Sequence, residues 1–479
     1  MSDFPYIFAP TENVEKEYKS VIEKTVSAFL NSIKDDEAFS GINPYVLRKE
    51  VGSLGFLPEK GIGFDATLKK VEETILPSLL RTWSTNYMPH LHSPSLLETI
   101  SSELLIATYN DSMDSWDQGP SATEIEENVI HGLLKLYGYD ENGDGTFTSG
   151  GSQSNISAIL MARDSYIKRV LNCDVKKNGL PKEYSKLRLY TSSISHFSMD
   201  KASHFLGLGY ESVRKLPVND KCQIDIPLFK KMVEEDIENG LLPYCAVATI
   251  GTTDFGSIDN LQAMREVCDK YNMHLHADAA YGSALVMSSK YSYRVKDLSL
   301  ADSITIDFHK MFLLPISCSV VLVKNKTLLD AFELHADYLN REEDEEDGYI
   351  NLVGKSMQTT RRFDALKVFM AFQTRGKDGY DALITKLVDN ASLFYSMIKD
   401  DPDFIVPVAP EISSVVFALK NGDECNKKVR RKLLEKGVVI GQTVMNGRVM
   451  LKFTLLNPRL EKENFESLIK EIKSIRDSL

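Results

Sequence analysis

The sequence is poor in cysteine and in long apolar runs, and basic residues do not dominate it. Its six cysteines are scattered without CxxC spacing, so they suggest neither a disulfide framework nor a zinc site. The 56 Lys and Arg residues are outnumbered by 68 Asp and Glu residues, and the net charge of -12 argues against nucleic acid or an anionic membrane as the main partner. No apolar stretch is long enough to span a bilayer, and Met1 to Pro5 lack the basic start of a signal peptide. We therefore expect a cytoplasmic protein with reduced thiols and no bound metal.

What the chain does have is length and apolar content. Its 479 residues are 43% hydrophobic and 26% charged, which is typical of a soluble globular protein with a large core and more than one domain. An amphipathic pattern between Asn13 and Ile33 predicts a first helix with one apolar face. That face must pack either on its own domain or on a partner subunit, and the pattern is compatible with both.

Two apolar, β-branched runs predict strands that are buried on both faces, as in a parallel sheet: Asn272 to Ala277 and Ala301 to Ile306. Asp278 follows the first run, and the segment Asp307 to Lys310 follows the second. Open α/β sheets bind their ligands at the carboxyl ends of the strands. An Asp and a Lys at neighbouring strand ends suit pyridoxal phosphate, because the lysine can hold the aldehyde as an imine while the carboxylate pairs with the ring nitrogen.

The segments His276 to Gly282 and Asp307 to Lys310 resemble the pyridoxal-phosphate-dependent group II amino acid decarboxylases, and the resemblance extends from about Tyr87 to Pro458. It implies an α/β fold of PLP fold type I, similar to aspartate aminotransferase. We expect an N-terminal helical arm over residues 1–80, a large PLP-binding domain over 81–375 with a mostly parallel sheet of the seven-stranded type, and a small C-terminal α/β domain over 376–479. The resemblance also implies an obligate homodimer with its active sites at the interface.

The resemblance assigns roles to residues around the cofactor ring. Lys310 would carry the imine, and Asp278 would pair with the ring nitrogen so that the ring can accept an electron pair. His196 would stack on one face of the ring and help to protonate the intermediate. Ala280 would lie against the opposite face, and Thr252 would lie beside the cofactor.

A second set of residues suits the cofactor phosphate. The stretch Thr148 to Asn155 precedes a helical pattern, and small residues at a helix start let backbone N–H groups approach an oxyanion. A turn of Gly and Ser before a helix is also a common plain N-cap. By resemblance, Gly151 and Ser152 hold the phosphate and His309 donates to it.

The residues that would meet the substrate are spread along the chain. By resemblance, His92 and Ser93 line the side-chain pocket, and Lys452 stands where many relatives carry an arginine for the substrate carboxylate. Tyr349 follows the acidic run Glu342 to Asp347, in a region where related enzymes have a mobile loop whose tyrosine donates a proton. Such an acidic run is more commonly a solvated loop.

The expected activity is α-decarboxylation of an L-amino acid, with release of carbon dioxide and a primary amine. His90 to Pro94 offer no acidic residue for a second ammonium, which favours an aromatic substrate. The segments Asp114 to Pro120 and Ile350 to Lys367 instead resemble L-2,4-diaminobutyrate decarboxylases, the alternative. An aldehyde-forming relative and an inactive scaffold are further alternatives. His196 and Tyr349 argue against the first, and the occurrence of Lys310, Asp278 and His196 together argues against the second.

Overall fold

The computed structural model describes residues 7–33, 36–334 and 347–479. The helices described are α1 (Glu12–Ser32), α2 (Pro44–Ser53), α3 (Phe64–Lys70), α4 (Leu97–Tyr109), α5 (Pro120–Leu136), α6 (Gly151–Leu171), α7 (Val175–Asn178), α8 (Ser198–Phe205), α9 (Ile226–Glu238), α10 (Leu261–Tyr271), α11 (Ala365–Ile398), α12 (Asp423–Glu435) and α13 (Lys462–Asp477). The strands described are β1 (Asp144–Thr148), β2 (Leu187–Ser192), β3 (Val213–Leu216), β4 (Leu242–Thr249), β5 (His274–Asp278), β6 (Ser303–Asp307), β7 (Ser319–Val323), β8 (Phe404–Ile405), β9 (Ser414–Leu419), β10 (Gly441–Met445) and β11 (Arg448–Thr454).

The chain divides into two compact units, and the larger one comprises residues 91–420 with 452–458. It is built on a seven-stranded sheet in the order β1-β7-β6-β5-β4-β2-β3. The pairs from β3 to β6 are parallel, whereas β7 runs antiparallel to both β6 and β1. The expected mostly parallel sheet of a fold-type I enzyme is therefore confirmed.

Strand direction decides which side chains can meet in this unit. Because β7 is antiparallel to both of its neighbours, β1 points the same way as β5 and β6. The carboxyl ends of these three strands consequently lie along one edge of the sheet, the edge at which such sheets bind ligands. Strands β5 and β6 are almost entirely buried, as their unbroken apolar runs predict.

The core of the larger unit lies on the sheet. Leu275, Ile304 and Ile306 from β5 and β6 are fully buried in a cluster that also takes Val368 and Leu387 from α11. Strands β4, β5 and β6 connect through α10 and through short helical turns, so each strand returns in parallel after packing its connection on the sheet. This packing holds the carboxyl ends of the strands in fixed positions.

The smaller unit comprises residues 1–90, 421–451 and 459–479, as far as they are described. Its N-terminal segment is tied to the turn after α12, where Ala38 N–H donates to the carbonyl of Gly437. Helix α1 buries only Val14 and Ala28, and an apolar stripe on it stays 37–57% exposed: Val26, Phe29, Leu30 and Ile33. We call these four residues the α1 stripe. Its Phe29 ring packs edge-on against Trp83, with 5.7 Å between ring centroids, but much of the stripe stays accessible on the described part of the chain. The predicted boundaries at residues 80 and 375 stay a prediction.

Candidate active site

A cleft of about 320 Å³ opens at the carboxyl edge of the sheet. The turn between β1 and α6, the ends of β5 and β6, and the segment after β2 contribute residues to its wall. Seven of the residues named from the sequence line it: Gly151, Ser152, His196, Asp278, Ala280, His309 and Lys310. The fold therefore gathers residues that lie far apart in the sequence.

Lys310 lies in the turn that follows β6 and forms an ion pair with Asp307 from the end of that strand. Its Nζ lies 2.9 Å from Asp307 Oδ2, and Ser319 Oγ donates to Asp307 Oδ1 over 2.6 Å. Burial alone would raise the pKa of Asp307, but Lys310 and His309, with the Ser319 hydrogen bond, lower it overall. Asp307 thus stays ionised and holds the lysine amine in the cleft.

Asp278 ends β5 and is almost completely buried. Its Oδ2 accepts a hydrogen bond of 2.9 Å from Asn155 Nδ2 on α6, and its Oδ1 accepts one of 3.3 Å from the Ala280 N–H. A carboxylate held in this way at the wall of the cleft suits a cationic ring nitrogen. Asn155 lay inside the quoted phosphate segment but had no role assigned from the sequence, because its partners lie in β5 and α8, far from it in the chain.

His196 lies just before α8 and turns one ring nitrogen toward that helix. The Ser198 N–H donates to His196 Nδ1 over 3.3 Å, and Ser198 Oγ lies 2.8 Å from the same nitrogen. Burial lowers the pKa of His196, while the nearby Asp278 opposes this shift. The ring is therefore neutral near pH 7, accepts at Nδ1 and carries its proton on Nε2.

The start of α6 suits the phosphate of pyridoxal phosphate. Gly150 precedes the helix with φ of 145°, a conformation that favours glycine, and Gly151 and Ser152 begin it. A Cβ atom at Gly151 would lie 2.7 Å from Asp307 Oδ2, so only glycine fits there without displacing that carboxylate. The N–H groups of this helix start and the amine of Lys310 face one cleft, and these residues fit both ends of the cofactor.

Other residues named from the sequence lie near the cleft but do not line it. Ser93 Oγ donates to the carbonyl of His309 over 3.3 Å, and His92 is half-buried beside Leu91, which does line the cleft. Thr252 is buried, with its hydroxyl 2.7 Å from Ser257 Oγ, while its neighbour Thr253 reaches the cleft wall. The roles predicted for these residues stay predictions.

Lys452 and Tyr349 have partners of their own. Lys452 is buried and its Nζ lies 2.7 Å from Asp254 Oδ1. The Tyr349 ring packs edge-on against Trp116, with 5.0 Å between ring centroids, and lines a separate depression with Lys355. Most of the acidic run before Tyr349, residues 342–346, lies outside the described residues. In the described ranges there is no cluster of potential metal ligands, and no helix there could cross a bilayer.

The family model for the pyridoxal-dependent decarboxylase conserved domain matches residues 57–420. The chain belongs to this family. As a pyridoxal-dependent decarboxylase it is a carboxy-lyase that uses pyridoxal phosphate, which when bound accepts the electron pair left by the departing carboxylate. The expected family, fold type, cofactor and reaction class are thereby confirmed.

Three similar proteins bear on the substrate of this pyridoxal-dependent decarboxylase. It is 34% identical to an L-2,4-diaminobutyrate decarboxylase of Acinetobacter baumannii over 472 residues, 95% of this chain and 92% of that one. It is 25% identical to an aromatic-L-amino-acid decarboxylase of Bacillus atrophaeus, over 94% of this chain and 93% of that one. A crystal structure from Vibrio parahaemolyticus matches with a TM-score of 0.90 and 33% identity over 99% of this chain and 98% of that one; it is described as the glutamate decarboxylase domain of diaminobutyrate-pyruvate transaminase and L-2,4-diaminobutyrate decarboxylase.

Proposed function

We propose that the protein decarboxylates L-2,4-diaminobutyrate to 1,3-diaminopropane. The observation that carries this proposal is the identity of 34% with a diaminobutyrate decarboxylase, against 25% with an aromatic one, at nearly equal coverage. The aromatic substrate expected from His90 to Pro94 has the weaker support. That expectation considered only the acidic residues of one loop.

The cleft residues divide the work as follows. Lys310 would hold the cofactor through its amine, Asp278 would face the ring nitrogen and favour its protonated form, and Gly151, Ser152 and His309 would bind the phosphate. The bound cofactor would accept the electron pair released by decarboxylation. His196, with its proton on Nε2, would lie against the ring and help to donate a proton to the α-carbon of the substrate.

Asp254 and Lys452 provide the pair of charges that diaminobutyrate requires. Asp254 follows Thr253 of the cleft wall, and its side chain is 37% exposed while it contacts the buried ammonium of Lys452. The substrate has a carboxylate and a second ammonium on a short carbon chain, so its two charges lie close together, as do those of this pair. We infer that the substrate carboxylate binds Lys452 and that the Asp254 carboxylate binds the second ammonium. An aromatic substrate has no second ammonium to place there.

Product analysis tests the proposed substrate. The purified protein with pyridoxal phosphate is incubated with an equimolar mixture of the common L-amino acids and L-2,4-diaminobutyrate, and the amines are identified by mass spectrometry. We expect 1,3-diaminopropane to dominate. Tyramine, phenethylamine or tryptamine as the main product would contradict the proposed substrate, an aldehyde would indicate oxidative deamination, and the absence of any product would favour a scaffold.

The Asp254→Asn variant tests the proposed ammonium contact. Removing the negative charge should lower kcat/KM for diaminobutyrate about tenfold or more, because a charge-assisted hydrogen bond is lost. Asp400→Asn makes the same chemical change at an exposed ion pair with Lys399 and should leave kcat/KM unaltered. Equal values for Asp254→Asn and the unmodified protein would show that another residue binds the second ammonium.

We also propose that the active protein is a homodimer in which the α1 stripe packs on the partner subunit. The supporting observation is that these four apolar side chains remain 37–57% exposed on a helix that buries only two of its residues. Contiguous exposed apolar residues of this kind mark interaction sites. Of the two alternatives that the sequence left open, the exposure favours the partner subunit.

A further inference from the structure

The amide of Asn155 is buried between two groups of opposite hydrogen-bonding character. Its Nδ2 lies 2.9 Å from Asp278 Oδ2, and its Oδ1 lies 3.0 Å from His276 Nε2. Because a carboxylate can only accept, the amide nitrogen must face Asp278 and the amide oxygen must face His276. The orientation of the Asn155 side chain is therefore determined by its neighbours.

His276 fixes the amide from the side of the sheet. Burial, together with the neighbouring His274, lowers the pKa of His276 to about 3, so the ring is neutral near pH 7. Its Nε2–H donates to Asn155, and its Nδ1 accepts from Ser303 Oγ over 2.9 Å. Ser303 Oγ in turn accepts from His274 Nε2 over 2.8 Å. Because Asn155 Oδ1 can only accept, His276 must carry its proton on Nε2. This leaves His276 one tautomer, with Nδ1 as the acceptor.

A second branch leads from the same amide to His196. Asn155 Nδ2 also donates to Ser198 Oγ over 2.9 Å, so the hydroxyl proton of Ser198 is available for His196 Nδ1. Asn155 thereby contacts Asp278 directly and reaches His196 through one hydroxyl group. One buried amide is thus hydrogen-bonded to Asp278 directly and to His196 through Ser198, and both of these residues line the cleft.

We propose that Asn155 is a positioning residue for both Asp278 and His196, and that His276 holds it in the required orientation. Without the amide, the Asp278 carboxylate loses a donor and is free to rotate, and Ser198 can turn away from His196. The inference rests on the proposed roles of Asp278 and His196 and is independent of the amino acid substrate. The Asp278→Asn variant separates the two proposals. If it binds pyridoxal phosphate as tightly as the unmodified protein, the proposed role of Asp278 fails, independently of the result for Asn155.

The first test is the Asn155→Asp variant, which retains the oxygen that faces His276 and places a second oxygen against Asp278. Two carboxylates at hydrogen-bond distance resist being ionised together, so the pair should take up a proton. We expect the Kd for pyridoxal phosphate, measured by equilibrium dialysis of the apoprotein, to rise about 10–100-fold near pH 8. Mutation of a residue that hydrogen-bonds to a metal ligand weakens metal binding by a similar factor. The increase relative to the unmodified protein should shrink toward pH 6.

The other titratable groups around the cleft are common to both proteins. His196, His276, His309, Lys310 and Asp307 face Asp278 or the cleft from the surrounding strands and turns. Their titration changes both Kd values alike, so the ratio of the two reports the introduced carboxylate. Asn390→Asp is the matched control, because it makes the same change at another buried asparagine, in α11, and should leave the Kd ratio at one.

Two His276 variants separate positioning from a general loss of stability. The amide of His276→Gln can still donate to Asn155 and should keep the Kd within about threefold, whereas His276→Leu leaves a buried acceptor unsatisfied and should raise the Kd about tenfold. Ser198→Ala should lower kcat about tenfold and raise the Kd less than Asn155→Asp does, since it leaves the hydrogen bond from Asn155 to Asp278 in place. These variants also decide the matter if Asn155→Asp does not fold.

The proposal is overturned if Asn155→Asp binds pyridoxal phosphate as tightly as the unmodified protein throughout this pH range. It is equally overturned if His276→Gln and His276→Leu have the same Kd, because the hydrogen bond to Asn155 would then have no influence on the cleft. An unchanged kcat for Ser198→Ala would show that Asn155 does not position His196 through Ser198. The proposal is supported if the ratio of the variant's Kd to that of the unmodified protein changes with pH for Asn155→Asp and stays constant for Asn390→Asp.

Discussion

At the scale of single residues, the two carboxylates of the cleft that concern the cofactor each have a hydrogen-bonding or charged partner. Asp307 holds the amine of Lys310 at 2.9 Å, and Asn155 supplies the donor that Asp278 requires at the same distance. In each case a buried charge has a partner, as buried charges need if they are not to be costly.

The covalent role of Lys310 can be tested by replacing it with alanine. Borohydride reduction of the unmodified protein should fix the mass of the cofactor on the peptide that contains Lys310, because only a deprotonated amine can condense with the aldehyde. Lys310→Ala should lose both this modified peptide and the visible absorbance of the bound cofactor. Lys270→Ala, at a half-exposed ion pair with Glu234, is the control and should behave as the unmodified protein. Modification of another lysine in the unmodified protein would refute the assignment.

The sequence predicted the residues of the cleft that belong to local patterns. Asp278 and Lys310 follow apolar strands, so their position at strand ends could be derived from the strands. Asn155 has no such signal, since its role depends on contacts between α6, where it lies, and His276 and Asp278 of β5. Asp254 was missed for a similar reason, because its partner Lys452 is distant in the sequence.

At the scale of elements, a buried ion pair joins α5 to the segment that leads into α11. Arg361 Nη2 lies 2.8 Å from Glu126 Oε1, and Nη1 lies 3.2 Å from Oε2, with both side chains almost completely buried. The carbonyl of Arg361 also accepts from the Met113 N–H. This pair therefore anchors the segment after Tyr349 to the helix that precedes β1.

Breaking this pair should destabilise the protein strongly. Arg361→Met leaves the Glu126 carboxylate buried without its partner, which should lower the free energy of unfolding by about 3–5 kcal/mol. The urea midpoint of the apoprotein, followed by circular dichroism, measures the loss. Lys231→Met, at an exposed ion pair with Glu235 in α9, should leave the midpoint unchanged. Equal midpoints for both variants would mean that the pair of Arg361 and Glu126 does not stabilise the folded protein.

Buried strands were easier to predict than the exact ends of strands or strands that are partly exposed. The predicted run Asn272 to Ala277 became β5, His274–Asp278, and the predicted run Ala301 to Ile306 became β6, Ser303–Asp307. Strand β10, Gly441–Met445, was not predicted because its residues are partly exposed and form no apolar run. Pairing with another strand, and not local composition, decides such an element.

At the scale of the whole molecule, the α1 stripe makes a prediction about assembly. The unmodified protein should have twice the mass of the 53.9 kDa chain in light scattering after gel filtration. Val26→Asp with Leu30→Asp places two charges on one face of α1 and should yield single chains, because unpaired charges oppose burial in an interface.

A control and a contradicting result accompany this prediction. Val444→Asp alters another exposed valine, 59% accessible, and should leave the mass at the value of the dimer. A dimer that survives both α1 substitutions would exclude the stripe from the interface. A single chain in the unmodified protein would contradict the homodimer itself.

The order of strands in the sheet also bears on how the protein is made. Strand β1 lies at the edge and pairs with β7, so Thr148 is aligned with Ser319 across a long stretch of intervening chain. The ribosome must therefore release Val323 before β1 can pair with β7. Until then Gly151 and Lys310 are not brought together in one cleft. Such distant pairings form slowly and leave strand edges open to association with other chains. A nascent chain cannot capture its cofactor until most of it has been translated, and chaperones have that interval in which to protect it.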